Sequence, residues 1–279
     1  INSNRRKLGC SPRTATLMTM SSPIAVFDSG IGGLTVVQAL RQQMPEETIV
    51  YLGDTARVPY GTKSASTIQR YAIQAAEKLA SYKPKLLIIA CNTASAYGLE
   101  ILKRRWSIPV LGVIEASARL ALTHSHSIAV LATRATVASD IYPQTLKAMN
   151  TAVSVHSMAA PLLVSLAEEG WWDNSITEDI CRYYLADLPA SVNTVILGCT
   201  HFPVFLPILE RIRPDLKWID SGTPLAKEVR KLLSNTTRSQ APTSHPTLRL
   251  LVTDESTKLH ELASRFLGES APPIELINI

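Results

Sequence analysis

Two cysteines carry the strongest chemical signal in this chain of 279 residues. Cys91 follows Leu86-Leu87-Ile88-Ile89-Ala90 and precedes Asn92-Thr93-Ala94-Ser95; Cys199 follows Thr194-Val195-Ile196-Leu197-Gly198 and precedes Thr200-His201-Phe202-Pro203. An uninterrupted apolar run of this kind predicts a strand buried on both faces, as in a parallel sheet. Each thiol then falls at the carboxyl end of a strand, where α/β proteins place their ligands. The N–H groups of a helix opening there favour negative charge, a setting that lowers a thiol pKa. Taken singly, each cysteine reads as a small hydrophobe filling a strand end, as most free cysteines do. The repetition of strand, thiol, Thr or Asn-Thr and helix suggests instead a working pair.

Other residues suggest chemistry less directly. Asp28-Ser29-Gly30-Ile31-Gly32-Gly33 follows the apolar run Ile24 to Phe27. It offers a carboxylate and a hydroxyl beside backbone free to approach a ligand; an ordinary turn with an N-cap is the plainer alternative. The glycines do not form G-x-G-x-x-G, because position 35 is Thr35, and Gly61-Thr62-Lys63-Ser64 is not a phosphate-binding loop. Neither a dinucleotide nor an ATP signature is present. Cys199 and His201 are two candidate metal ligands, but no second pair has suitable spacing, so no metal is expected. His201 can instead tune the thiol two positions away or bind a carboxylate. Asp54 and Glu115 end strands on the same presumed edge and stay ambiguous. Cys181 reads as core, Trp171 and Trp172 as a cap on a core or an interface, and His124 and His126 as solvated.

The elements that must hold these groups alternate strand and helix from Pro23 onward, which predicts α/β architecture with mostly parallel sheets. Strands are expected at Ile24–Phe27, Thr48–Leu52, Lys85–Ala90, Val110–Ile114, Ser127–Ala132, Val153–His156, Thr194–Gly198 and Leu216–Ile219. Single helices are expected from Thr136 to about Asn150 and from the second thiol to Ile212. Ser234 to Thr247, rich in Ser, Thr and Pro, reads as a linker. Two further strands, Leu248–Val252 and Ile274–Ile279, follow it. The expected organisation is an extension (1–22), a first domain (23–116 with 225–279) and a second (117–224).

Composition narrows the function classes. The formal net charge is +5, yet Arg5, Arg6, Lys7 and Arg13 supply four of those charges in a stretch without acids. The remainder is nearly neutral and lacks a basic stripe with interleaved aromatics, so no nucleic-acid partner is expected. No apolar run approaches the roughly eighteen residues that a membrane span needs. Residues 1–22 are expected to be a disordered upstream extension or cloning scar, with an Arg-rich transit peptide the lesser alternative. The four cysteines show no C-x-x-C spacing, which fits a reduced, cytoplasmic protein.

Four motifs together, Asp28-Ser29-Gly30-Ile31-Gly32-Gly33, Pro59-Tyr60-Gly61, Cys91-Asn92-Thr93-Ala94 and Gly198-Cys199-Thr200-His201-Phe202-Pro203, resemble glutamate racemase. The likeness runs from about Ile24 to the C-terminus in the same motif order, and the paired cysteines are shared with the wider aspartate/glutamate racemase superfamily. It implies two similar α/β domains with the active site in the cleft between them. It also implies L-/D-glutamate interconversion without pyridoxal phosphate, other cofactor or metal, supplying D-glutamate for peptidoglycan. By motif, Cys91 and Cys199 carry over as the two bases. Asp28, Ser29, Tyr60, Gly61, Asn92, Thr93, Thr200 and His201 carry over as groups that contact substrate or support the thiols. Thr133 and Thr136 belong with them, around an Arg134 where some relatives have a smaller residue, and Glu168 is an assisting group near His201. Glutamate is the implied small-molecule partner, with a homodimer as an open alternative for the assembly.

The physical demands agree with the resemblance. Inverting a stereocentre needs a base on one face of Cα and an acid on the other. An ordinary thiol, pKa roughly 8.5, must be shifted to serve as base at neutral pH. Without an electron sink the carbanion depends on donors at the substrate carboxylate, such as Ser29, Thr93, Thr200 and backbone N–H groups. Asp28 is expected to orient Cys91 or hold the ammonium, and His201 to serve Cys199. A racemase for aspartate or another amino acid, and a non-catalytic binding protein for acidic ligands, are the rival readings.

Overall fold

A computed structural model describes residues 22–236 and 246–279. The N-terminal extension, with Cys10, and most of the Ser/Thr/Pro-rich linker lie outside the described residues. The strands are β1 (Ile24–Asp28), β2 (Ile49–Gly53), β3 (Leu86–Ile89), β4 (Val110–Gly112), β5 (Ser127–Ala132), β6 (Ser154–Ala159), β7 (Thr194–Gly198), β8 (Lys217–Ile219), β9 (Leu248–Val252) and β10 (Ile274–Leu276). The helices are α1 (Leu34–Gln43), α2 (Ala65–Ala80), α3 (Asn92–Arg105), α4 (Ile114–Leu122), α5 (Arg134–Ala138), α6 (Ile141–Met149), α7 (Pro161–Glu168), α8 (Ser175–Leu185), α9 (Leu206–Ile212), α10 (Gly222–Thr236) and α11 (Leu259–Leu267).

The strands form two sheets, parallel throughout, ordered β10-β9-β2-β1-β3-β4 and β6-β5-β7-β8. The apolar runs become the centres of these sheets because only a strand covered on both faces can bury every side chain. β1, β3 and β7 are buried along their whole length. The two strands after the linker join the first sheet, β9 beside β2 and β10 beside β9.

Strand order decides where ligands can bind. In the first sheet the chain leaves β1 for β2 on one side, then returns for β3 on the other. In the second it leaves β5 for β6, then returns for β7. Each reversal opens a crevice at the carboxyl ends of the strands, between β1 and β3 and between β5 and β7. Asp28 and Cys91 stand at the first crevice, Thr133 and Cys199 at the second.

Four elements depart from the pattern in the sequence. The helix expected up to Asn150 breaks into α5 and α6 around Asp140, whose φ is 55°. Pro143 is the reason, since it has no N–H for the Ser139 carbonyl and its ring would collide with it. After the second thiol, a short 3₁₀ turn (Phe202–Phe205) intervenes before α9, because Pro207 cannot continue a helix begun earlier. β6 runs to Ala159 rather than His156, pairing along all of β5. As a sheet edge with Ser and His on it, β6 lacks a continuous apolar signature. Ile114, expected to end a strand, opens α4.

Candidate active site

The two thiol units are similar in sequence and different in local structure. Cys91 is the N-cap of α3, and its Sγ accepts the Ala94 N–H at 3.4 Å. The same thiol donates to Ser29 Oγ at 3.3 Å. Burial, and then the neighbouring Asp28 charge, push this thiol up to about 12, against those two hydrogen bonds. The expected lowering by the helix opening is therefore overturned at Cys91. Two hydrogen bonds do not replace the hydration that a buried thiolate loses.

Cys199 caps no α-helix. Its partner is His201, with Nδ1 at 3.7 Å from Sγ. His201 Nε2 lies 2.5 Å from Glu168 Oε1 at the end of α7. Burial would lower the imidazole pKa, but the contacts with Cys199 and the Glu168 carboxylate outweigh it and hold it well above its ordinary value. Burial likewise acts to raise Glu168, but the bond and charge of His201 win and hold the carboxyl below its usual range. The pair is thus an imidazolium and a carboxylate. A Cβ on Gly32 would stand 2.6 Å from His201 Nδ1, so only glycine lets this turn lie against the imidazole.

Asp28 does not serve Cys91 directly. Its carboxylate is fully buried and makes no hydrogen bond to Cys91. Oδ2 accepts the Gly30 N–H at 3.0 Å, and Oδ1 accepts Thr200 Oγ1 at 3.3 Å. Burial raises its pKa overall, against the opposing pull of His201. The first sheet's aspartate thus hydrogen-bonds the residue that follows the second sheet's thiol, while Ser29 serves Cys91.

The remaining predicted residues gather around the thiols. Thr93, Thr133 and Thr136 form a triangle with each Oγ1–Oγ1 distance 3.0 Å, joining α3 of the first sheet's layer to α5 of the second's. Gly61 packs on Thr133, where an added Cβ would be 2.8 Å from the Thr133 Cβ. The Tyr60 hydroxyl donates to Asp54 Oδ2 at 2.5 Å; Asp54 also holds Arg57 Nε at 2.6 Å and Thr253 Oγ1 at 2.9 Å. Burial, followed by the Asp54 charge, keeps the Tyr60 phenol protonated. Both thiols line one cavity of about 210 Å³ together with Ser29, Tyr60, Gly61, Asn92, Thr93, Thr133, Thr200 and His201. Asp28, Thr136 and Glu168 are not on its wall; they reach it through Thr200, Thr93 and His201.

Several residues of the site carried no sequence signal. Pro161, Leu162, Val164 and Ser165 at the start of α7 line the cavity, as does Val58. Arg134 lines it too, and among the described residues it is, apart from His201, the one cationic side chain on the wall. Tyr142 and Ser221 hold Asn92 from behind. Asp54 proves to anchor Tyr60, whereas Glu115 faces Lys103 at 3.6 Å and is exposed. Cys181 is core, and Trp172 packs on Phe266 with ring centroids 4.9 Å apart. A larger surface hollow of about 590 Å³ around Trp171 and Arg265 contains neither thiol. Among the described residues, no group of three or more His, Cys, Asp or Glu side chains is placed to hold a metal ion, and no helix is long and apolar enough to cross a membrane.

Comparison with known proteins points the same way as this geometry. Residues 34–229 match the family described as Asp/Glu/Hydantoin racemase. The chain is 42% identical over 270 residues to the glutamate racemase of Chlorobium phaeobacteroides, covering 94% of this chain and 98% of that protein. The crystal structure of glutamate racemase from Francisella tularensis in complex with D-glutamate superposes with a TM-score of 0.88 at 37% identity, covering 92% of this chain and 98% of that one. The Thermus thermophilus glutamate racemase, in complex with beta-chloro-D-alanine, gives 0.84 at 37% identity, covering 93% of this chain and 98% of that one.

Proposed function

The chain belongs to the Asp/Glu/Hydantoin racemase family, and from that membership we propose that it interconverts L- and D-glutamate by two-base proton transfer between Cys91 and Cys199. The observation that carries the reading is that the two thiols, from the switch points of two different sheets, line one cavity. A substrate held between them has one sulfur on each face of Cα. Cys91 is a thiol, ready to donate. Beside Cys199 the His201 imidazolium offers the counter-charge that a thiolate base requires. Transfer in one direction leaves Cys199 protonated and Cys91 ionised, and the reverse reaction restores the first state.

The carbanion formed in between needs donors that are already oriented, because reorganising them would add to the barrier. The N–H groups at the start of α3 and the hydroxyls of Ser29 and Thr93, both on the cavity wall, are the donors in this reading. The two sheets, taken as domains 23–116 with 225–279 and 117–224, would close on substrate about α4 and α10. These two helices connect the sheets and are tied by the Arg119–Glu228 ion pair at 3.0 Å. In this reading D-glutamate goes to peptidoglycan and the reaction is cytoplasmic, consistent with three free, buried cysteines among the described residues. A homodimer is the assembly to test by light scattering.

The deciding experiment follows Cα hydrogen exchange of L- and D-glutamate in deuterated water for the parent, Cys91→Ser and Cys199→Ser. The expected result is deuterium in the product enantiomer, little in the remaining substrate at early conversion, and loss of racemisation in each variant. A thiol that has taken the substrate's proton can return only that proton, whereas the opposite thiol carries deuterium. No exchange with glutamate, or parent-like racemisation in either variant, would overturn the reading.

A further inference from the structure

Tyr142 on α6 touches both thiol units, with a different part of its side chain on each. Its Cε2 lies 3.1 Å from where a Cβ on Gly198 would stand, so the ring lies against the residue that precedes Cys199. Its hydroxyl donates to Asn92 Oδ1 at 2.6 Å, and Asn92 directly follows Cys91. Ser221 bridges the same two places in parallel. Its Oγ donates to the Leu197 carbonyl of β7 at 3.0 Å and accepts from Asn92 Nδ2 at 3.2 Å. Tyr142, Ser221 and Asn92 are all at most 2% exposed, so water does not compete for these bonds. Oxygen and nitrogen of the Asn92 carboxamide are both engaged away from the cavity.

We propose that Tyr142, with Ser221 in parallel, is a positioning residue that fixes the separation between Cys91 and Cys199. The inference rests on the two-thiol reading above. Two-base transfer requires both sulfurs to be within reach of one Cα, and a misplacement of about 1 Å costs roughly a hundred-fold in rate. A tyrosine suits such a strut because its ring has no internal torsion, leaving two rotatable bonds to hold. Gly198 suits it because any side chain there would push the ring away from β7.

Tyr142→Phe keeps the ring and deletes the bond to Asn92. Its expected signature is a roughly ten-fold lower kcat/KM, the size of a displacement well under 1 Å. With α-deuterated L- and D-glutamate, isotope effects should rise in both directions, because proton transfer slows relative to binding. Ser221→Ala cuts the parallel bridge and should give the same signature at smaller amplitude. Ser117→Ala is the control. Ser117 Oγ contacts the same hydroxyl at 3.3 Å but neither thiol unit, so its isotope effects should match the parent's whatever its thermal stability. Parent-like isotope effects in both Tyr142→Phe and Ser221→Ala, or an equal rise in Ser117→Ala, would overturn the strut. A parent that fails to exchange Cα hydrogen would instead overturn the two-thiol reading itself.

Discussion

Replacing Glu168 by Gln keeps the shape of the group beside His201 and removes its charge. The two side chains meet at 2.5 Å, with His201 3% and Glu168 30% exposed. Unit charges about 4 Å apart at an effective dielectric of about 20 attract by about 4 kcal/mol. The partial exposure of Glu168 and the hydrogen bond that Gln retains reduce the expected loss to about 1.5–3 kcal/mol, the range of charge-assisted hydrogen bonds. At about 1.4 kcal/mol per factor of ten, kcat/KM at neutral pH should fall between ten-fold and a hundred-fold. The enantiomers have equal free energy, so kcat/KM must fall equally in the two directions. The asymmetry appears in the isotope effect, which should rise with the enantiomer whose α-deuterium Cys199 removes and not with the other. The pH dependence should move with it. In the parent, His201 stays protonated above its ordinary range. Without the carboxylate, burial dominates, and the basic limb of kcat/KM should shift to lower pH. Stability follows the same signs. The raised His201 contributes stability that is fully present below 6.5 and lost as pH rises through its folded pKa. The lowered Glu168 contributes stability that is present above 4.5 and lost as pH falls through its folded pKa. The variant's melting temperature should therefore depend less on pH across the neutral range. Equal isotope effects in the two directions, or an unmoved basic limb, would refute this account of His201.

Two other substitutions test the site from different sides. Gly32→Ala places a methyl 2.6 Å from His201 Nδ1 and 2.8 Å from Thr200 Oγ1. Because the imidazole must then move, kcat/KM should drop by roughly a hundred-fold, as for a misplacement of about 1 Å, while circular dichroism still shows a folded chain. Arg134→Ala removes a cation from the cavity wall without removing an ion pair among the described residues. KM for glutamate should rise several-fold at low salt, and the difference should shrink as the Debye length falls from about 30 Å at 0.01 M to about 8 Å at 0.15 M; an effect that does not change with salt would place Arg134 in direct contact instead.

Much of the molecule follows from local pattern. The runs Ile24–Phe27, Leu86–Ile89 and Val195–Leu197 are apolar without interruption, and only the centre of a parallel sheet can bury both faces of such a strand. Two cysteines after two of those strands were enough to mark the site, because chemistry in this architecture collects at strand carboxyl ends. The departures fall where a proline cuts a helix, at Pro143 and Pro207, where an edge strand lacks apolar residues, at β6, and at Ile114, which opens α4 instead of ending β4.

What sequence could not supply is which group serves which. Asp28 is expected to orient Cys91 or hold the ammonium, yet it bonds Thr200 on the other sheet's thiol unit and leaves Cys91 to Ser29. The helix opening at Cys91 suggested a thiolate, yet burial and the Asp28 charge hold the thiol protonated. Tyr142 and Ser221 carry no motif, and their part depends on lying between two sheets. Residue types and their spacing determined the strands, the two thiols and the chemistry open to them, because these depend on neighbours along the chain. Partners, protonation and the spacing of the thiols depend on desolvation and on contacts between residues far apart in sequence, so only the packing of one sheet against the other decided them.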